Sequence, residues 1–174
     1  MSIRNIIACH EDTALWRFEP PRLPIKRRLY LTATARRHLT DPGSATNVLG
    51  LRGYIQAAMT HWVTGNRVRG DEGGNPRFLK RLCPPPPEIW EVRVTDPTPQ
   101  VRLLGRMVEP DTLILDRFHT RQFLGDKGSA AWKEAMTAVD SALRELFPNV
   151  PLFQRQDIRE YVTENCDDFQ ICPI

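Results

Sequence analysis

The sequence lacks the features that would place the protein in a membrane or on a secretory route. Its 174 residues contain no apolar run approaching the roughly 18 residues that span a bilayer, so no transmembrane helix is expected. The N-terminus has a short apolar patch but neither the long apolar core nor the cleavage site of a secretory signal. We therefore expect an intracellular, cytoplasmic protein with no membrane contact.

Cysteine is scarce and scattered. The chain has four: Cys9, Cys83, Cys166 and Cys172. They form no CxxC pair or other close group of ligands of the kind that metal sites need. A domain of this length does not depend on disulfides to fold. We expect free thiols, either buried or on the surface, and neither a metal ion nor another cofactor.

The net charge is only +3 at pH 7, but its distribution is uneven. Between Arg17 and Arg37 there are seven basic residues and one acidic residue, whereas residues 155–174 carry five acidic and two basic residues. We interpret the acidic C-terminus as a solvated tail. A second hypothesis is that it folds back on a cationic site as an internal shield.

The first 25 residues are predicted to be an N-terminal extension. Pro20, Pro21 and Pro24 argue against a regular helix there, so the segment is expected to pack irregularly on the domain or to stay loose. The β-rich segment Arg28–Thr32 follows as a first strand. Residues 34–39 then suit one or two helical turns.

A longer helix is predicted from an N-cap at Asn47 to about Thr64. Its apolar residues recur at steps of four and three, which places them on one face that we interpret as core: Leu51, Ile55, Met59 and Trp62. Residues 69–76 have the composition of a loop. The run Pro84–Pro87 is interpreted as a stiff polyproline connector.

After the prolines the hydrophobic period changes to two. This predicts three strands, at Ile89–Val94, Val101–Val108 and Thr112–His119. In the first strand the apolar residues Trp90, Val92 and Val94 share one face, and Glu91 and Arg93 lie on the other. The short connections between the three strands predict an antiparallel meander.

A C-terminal helix is predicted to begin after a Ser129 cap and to end at Pro148. Residues 148–174 then form a C-terminal extension with a short helical stretch near residues 157–164. The expected fold is α+β: a small antiparallel sheet, mixed at its N-terminal strand, with two N-terminal helices and one C-terminal helix.

Basic side chains are displayed on or beside the predicted sheet. They are Lys80, Arg81, Arg93, Arg102, Arg117 and Arg121, and His119 lies among them. Arg93 and Arg102 are on adjacent strands, where opposite side chains come within about 5 Å and like charges repel unless an anion or an acid such as Glu91 lies between them. Phosphate suits such permanently charged, forked donors. The alternative is ordinary surface ion pairing with Glu91, Glu109 and Asp116.

The order of the short motifs resembles the RelE/HigB-like toxin superfamily. The residues that carry the resemblance are Phe78–Leu82, Ile89–Arg93, Gln100–Arg102 and Ile114–His119, followed by the last helix. It spans roughly Lys26 to Phe147, so residues 26–147 are expected to form a RelE-like domain between the two extensions, 1–25 and 148–174.

Members of that superfamily are small ribonucleases that cut messenger RNA, often on the ribosome, and are neutralised by a partner antitoxin. The resemblance implies metal-free cleavage by attack of the ribose 2′-OH, with these partners and a cytoplasmic location. It implies catalytic roles for Arg102, His119 and Lys80. It also implies RNA or phosphate binding by Arg93, Arg117, Arg121 and Arg81.

Two other functions stay open. The first is a non-catalytic binding or inhibitory module on the same scaffold, such as a phage or mobile-element protein that contacts protein or nucleic acid. The second is a host-interaction protein whose basic segment Lys26–Arg28 binds an acidic surface. If Arg93, Arg102 and His119 do not converge on one concave site, the nuclease hypothesis fails.

Overall fold

A computed structural model describes residues 2–41, 48–69, 78–83 and 86–172, which build one six-stranded mixed sheet with helices on both faces. The strands are β1 Leu15–Arg17, β2 Arg28–Thr32, β3 Leu79–Arg81, β4 Trp90–Val94, β5 Val101–Glu109 and β6 Thr112–Thr120. The helices are α1 Ile3–His10, α2 Ala33–Thr40, α3 Arg52–Val63, α4 Arg121–Leu124 and α5 Ala130–Leu146, with 3₁₀ turns at Leu49–Leu51 and Ile158–Glu160. The α+β class is confirmed.

The strand order is β1-β2-β6-β5-β4-β3, and only β2 and β6 run parallel. The predicted antiparallel meander is therefore confirmed as β4-β5-β6, and the sheet is mixed at its N-terminal strand as expected. Arg93 pairs with Arg102 across β4 and β5, and Arg102 pairs with His119 across β5 and β6. The sheet thus places these three residues in one row.

Each face of the sheet is covered by its own core. One face packs against α2, α3 and residues near the C-terminus, and it includes Trp90, Val92 and Val94 as the period of two predicts. The other face packs against α1 and α5. Helix α5 is capped by Ser129, whose hydroxyl accepts a hydrogen bond from the Trp132 backbone N–H at 3.2 Å. The second face is the one on which Glu91, Arg93 and Arg102 lie.

The N-terminal extension contains a helix, contrary to the prediction. Helix α1 ends at His10, well before Pro20, so the prolines do not act on it. Ser2 caps it by accepting a hydrogen bond from the Asn5 N–H at 3.3 Å, and Ile7 is buried in the core beneath α5. Strand β1 then adds to the edge of β2. The prolines therefore exclude a helix only around themselves.

The C-terminal extension is packed onto the sheet, so the prediction of a solvated tail is wrong. Ile158, Tyr161 and Val162 are fully buried in the first core. Further along, Asp167 forms an ion pair with Arg67 at 2.6 Å. Burial of the apolar residues that lie between the acidic ones fixes the segment on the sheet. The prediction considered only the charge of the segment and overlooked these apolar residues.

Two cysteines form a disulfide, contrary to the expectation of four free thiols. Cys83, after β3, is bonded to Cys172, 89 residues further along the chain, with 5.4 Å between the Cα atoms. Cys9 and Cys166 are free. Sequence spacing gives no hint of this pair because only the fold brings the C-terminus beside β3.

Some predicted features lie outside the described residues: the Asn47 cap, residues 70–76 of the predicted loop, and Pro84 and Pro85 of the proline run. Among the helices that the structure describes, none combines the length and apolar character needed to cross a bilayer.

Candidate functional site

A cleft of about 700 Å³ opens on the α5 face of the sheet, between β3, β4, β5 and the start of α5. We call it the basic cleft, because six basic side chains line it: Lys80, Arg93, Arg102, Arg121, Lys127 and Lys133. Glu91 is the acidic lining residue, and apolar walls come from Leu82, Pro86, Trp132 and Met136. The surplus of positive charge makes the cleft suited to a polyanion.

Glu91 holds the two opposed arginines together. Its Oε1 accepts a hydrogen bond from Arg93 Nε at 2.8 Å, and its Oε2 lies 3.3 Å from Arg102 Nε. One carboxylate shared between two guanidinium groups explains how Arg93 and Arg102 tolerate direct opposition in the sheet. It also leaves one positive charge of this trio uncompensated.

Arg102 is a buried cation of the cleft that is held by several contacts. It is 7% exposed, and it donates to the Gln100 side-chain oxygen at 3.0 Å and to the Val101 carbonyl at 3.1 Å. Burial lowers its pKa, while Glu91 acts in the opposite direction. An arginine remains charged under such conditions. Arg102 is thus a fixed, partly desolvated positive charge at the floor of the cleft, where its interaction with an anion is strengthened.

The sequence identified four of the six cations and missed two. Lys80, Arg93, Arg102 and Arg121 were predicted, and the structure brings them together. Lys127 and Lys133 were missed because they reach the sheet only through the turn before α5 and the helix itself. Lys133 directly follows Trp132 of the apolar stripe, so a helical projection could have placed it at the border of the buried face.

Arg81 and Arg117 are absent from the residues that line the cleft. Arg81 follows Lys80 on β3 and therefore points to the opposite face, where it is 3% exposed and bound to Glu88 at 3.0 Å. Arg117 forms an ion pair with Asp116 at 3.3 Å on β6. Their contacts within the protein leave the predicted role in RNA binding without geometric support.

His119 is in register with Arg102 but does not line the cleft. The residue is 8% exposed, and neither ring nitrogen has a hydrogen-bond partner among the described residues. Burial, with a smaller contribution from Arg117, lowers its pKa to about 4. At pH 7 this enclosed imidazole is neutral, so it is not the imidazolium that a general acid requires. Arg93 and Arg102 therefore converge on the cleft and His119 does not, so the condition set for a nuclease that uses all three residues is not met.

The buried His119 is expected to make stability depend on pH. Its pKa is about 4 in the folded protein and about 6.5 when exposed, so below pH 6.5 only the unfolded chain takes up the proton. Its contribution is complete above pH 6.5 and is lost as the pH falls towards 4. Between pH 7 and pH 5 we expect a loss of about 2 kcal/mol through this residue.

Urea unfolding of the wild type and of His119→Phe at both pH values checks this expectation. The variant should lose about 2 kcal/mol less than the wild type over the same interval. Equal losses in the two proteins would contradict a buried neutral His119. His38 is present in both proteins, with its ring centroid 6.1 Å from that of His119; its pKa is lowered to about 4 mainly by burial and next by His119.

Within the described ranges, no group of three or more histidine, cysteine, aspartate or glutamate side chains is placed to hold a metal ion. The tail acids also stay away from the basic cleft, whose described lining includes no residue beyond Thr137. The shield hypothesis therefore has no support in this arrangement.

Comparisons with protein-family models, with curated proteins and with solved structures found no match for this chain.

Proposed function

We propose that the basic cleft binds the phosphate backbone of single-stranded RNA and that the protein is a RelE-like endoribonuclease toxin whose chemistry uses Arg102, Glu91 and Lys80 and does not use His119. The observation that carries the proposal is the convergence of six basic side chains on one concave surface, where Glu91 is the one acidic residue among the described lining residues. Phosphate contacts from lysine and arginine supply most of the affinity of such an interface. Messenger RNA, the ribosome and a cognate antitoxin in the cytoplasm are the partners that this function requires.

The order of the elements supports the RelE-like assignment. A first strand, two helices, a short strand, a three-stranded meander and a C-terminal helix follow one another, with β2 and β6 adjacent and parallel. This is the order of the motifs on which the resemblance rests. The α1–β1 unit and the packed C-terminal segment are additions to it.

Cleavage would use groups that already lie in the cleft. Arg102 is placed to stabilise the charge that develops on the phosphorus oxygens. Glu91 is a carboxylate that could accept the 2′-OH proton, and Lys80 could give a proton to the leaving 5′-oxygen. The products would be a 2′,3′-cyclic phosphate and a 5′-hydroxyl.

A second candidate function is a non-catalytic RNA-binding module on the same scaffold. The observation that favours it is the position of Glu91, which is 2% exposed and tied to two arginines. His119, the other predicted proton-transfer group, is enclosed outside the cleft. RNA binding without cleavage is therefore the expected outcome if Glu91 cannot be reached.

Binding of a labelled single-stranded RNA at several salt concentrations tests the proposed site. Lys133→Gln should weaken binding several-fold, and it should reduce the slope of log affinity against log salt by about 0.7 to 1, because one phosphate contact is removed. The matched control is Arg144→Gln, which removes a half-exposed cation from the same helix outside the cleft. Equal affinities of the two variants and the wild type would contradict the proposal.

The same RNA separates the two candidate functions. A toxin of the proposed kind cuts it, with or without ribosomes added, and fails to cut an RNA with 2′-deoxy sugars while still binding it. In a bacterium, induction of the wild type should arrest growth and degrade RNA, and Arg102→Ala should relieve both effects. RNA affinity that falls when a cleft cation is substituted, with no cleavage in any of these assays, would instead indicate the non-catalytic module.

A further inference from the structure

Phe123 is the most exposed large apolar side chain in the part of the chain that the structure describes, at 55%. One face of its ring is covered by His119, with ring centroids 5.0 Å apart and planes inclined by 8°. The 55% exposure leaves much of the remaining ring surface open to solvent. An aromatic ring held flat against a second ring, with one free face, is the usual form of a base-stacking platform in proteins that bind single-stranded nucleic acid.

The platform is held by the backbone around it. Phe123 N–H donates to the Thr120 hydroxyl at 3.2 Å, which caps the short helix α4. The next residue, Leu124, is completely buried, and its carbonyl accepts a hydrogen bond from the Ser129 hydroxyl at 2.6 Å. The ring of Phe123 is therefore presented by a fixed turn, so little conformational freedom would be lost when it binds a flat partner.

The platform adjoins the basic cleft. Arg121, two residues before Phe123, lines the cleft, and its backbone N–H donates to the Gln100 carbonyl at 2.7 Å. His119, beneath the Phe123 ring, is in register with Arg102 on the neighbouring strand. Neighbouring strands lie about 5 Å apart, so the backbone beneath the platform is one strand away from the cleft floor.

We propose that the free face of Phe123 stacks on a nucleobase of single-stranded RNA whose phosphates lie in the basic cleft. This inference rests on the proposed function and adds to it the recognition of an unpaired base beside the phosphate site. The ring of His119 packs against the opposite face of the Phe123 ring. Because every base has a flat face, the stacking adds affinity for single strands without selecting a sequence.

The experiment compares a labelled single-stranded RNA with the same chain carrying abasic sites, which keeps the phosphates and removes the bases. Phe123→Ala should weaken binding of the normal RNA by about 5- to 100-fold and leave binding of the abasic chain unchanged. Phe123→Tyr should retain wild-type affinity, whereas Phe123→Leu, which keeps the apolar bulk, should not. Tyr54→Ala, which removes another exposed aromatic ring from α3, is the matched control.

Two results would overturn the inference. One is an unchanged affinity of Phe123→Ala for the normal RNA. The other is an equal loss for both RNAs, which would indicate that Phe123 only supports the fold. Lys133→Gln serves as an independent reference because it should weaken binding of both RNAs. If Lys133→Gln weakens both while Phe123→Ala changes neither, the platform is rejected and the RNA-binding cleft stands; if neither variant has an effect, the cleft is rejected as well.

Discussion

Gly105→Ala is expected to destabilise the protein by about 3–5 kcal/mol, a large part of the stability of an ordinary domain. A Cβ atom at this position would lie 2.0 Å from the Ile114 carbonyl oxygen and 2.9 Å from the Leu115 Cα. Both are backbone atoms of β6, so no side-chain rotation can relieve the overlap. The central strands β5 and β6 would have to separate.

The close approach arises at an irregularity in the sheet. The pairing of β5 with β6 shifts between Leu104 and Gly105, leaving Asp116 as the extra residue on β6. A shift of this kind brings the two backbones together, and glycine is the residue that permits it. The position is therefore required by the register of the sheet that carries Arg102 and His119.

Urea unfolding followed by circular dichroism measures the effect. Gly53→Ala is the matched control, because Gly53 is exposed in helix α3 and a Cβ there meets no atom within 4 Å. That control should raise the free energy of unfolding by about 0.5–1 kcal/mol, since alanine favours a helix. A Gly105→Ala protein as stable as the wild type would contradict the close approach of the β5 and β6 backbones at this position.

Arg81→Met is expected to cost about 3–5 kcal/mol, because it leaves the buried carboxylate of Glu88 without its cation. Arg81 and Glu88 are both almost fully buried and lie 3.0 Å apart. Arg81 also donates to the carbonyl oxygens of Cys172 and Arg155 and to the Tyr161 hydroxyl. The guanidinium therefore joins β3 to three residues of the C-terminal extension.

A double variant separates two effects of Arg81→Met: the loss of the Arg81 hydrogen bonds and the unpaired buried charge of Glu88. Arg81→Met/Glu88→Gln should recover part of the stability that Arg81→Met loses, because no buried carboxylate remains unpaired. The comparison is Arg17→Met, which breaks the exposed pair of Arg17 and Glu19 and should change stability by less than about 1 kcal/mol. A cost for Arg81→Met no greater than for Arg17→Met would contradict the role of this ion pair.

The alternation of residues along the strands predicted most of the sheet. The apolar positions of β4 fixed its buried face, and the short connections fixed the antiparallel order. The same alternation places Lys80 and Arg81 on opposite faces, so the assignment of both to one site was inconsistent with the pattern that found them. Helix α1 was not predicted because the prolines were taken to exclude a helix from the whole segment, although α1 ends ten residues before Pro20.

The site was only partly predictable, because tertiary packing decides what a strand residue finally faces. Arg93 and Arg102 follow from strand register alone. The ring of His119 stacks on the ring of Phe123, which helix α4 brings next to it. No local sequence pattern predicts that contact. The disulfide of Cys83 and Cys172 likewise joins segments that only the complete fold brings together.

The edges of the sheet bear on self-association. Both edge strands, β1 and β3, are only three residues long. The end of β6 that extends beyond β2 is covered by helix α2, where the Phe118 N–H donates to His38 Nδ1 at 3.1 Å. Long unpaired edges are the surfaces through which sheets of separate molecules join. In concentrated solution we therefore expect little pairing of strands between molecules of this protein. The positive charge of the basic cleft would also disfavour contact between the clefts of two copies.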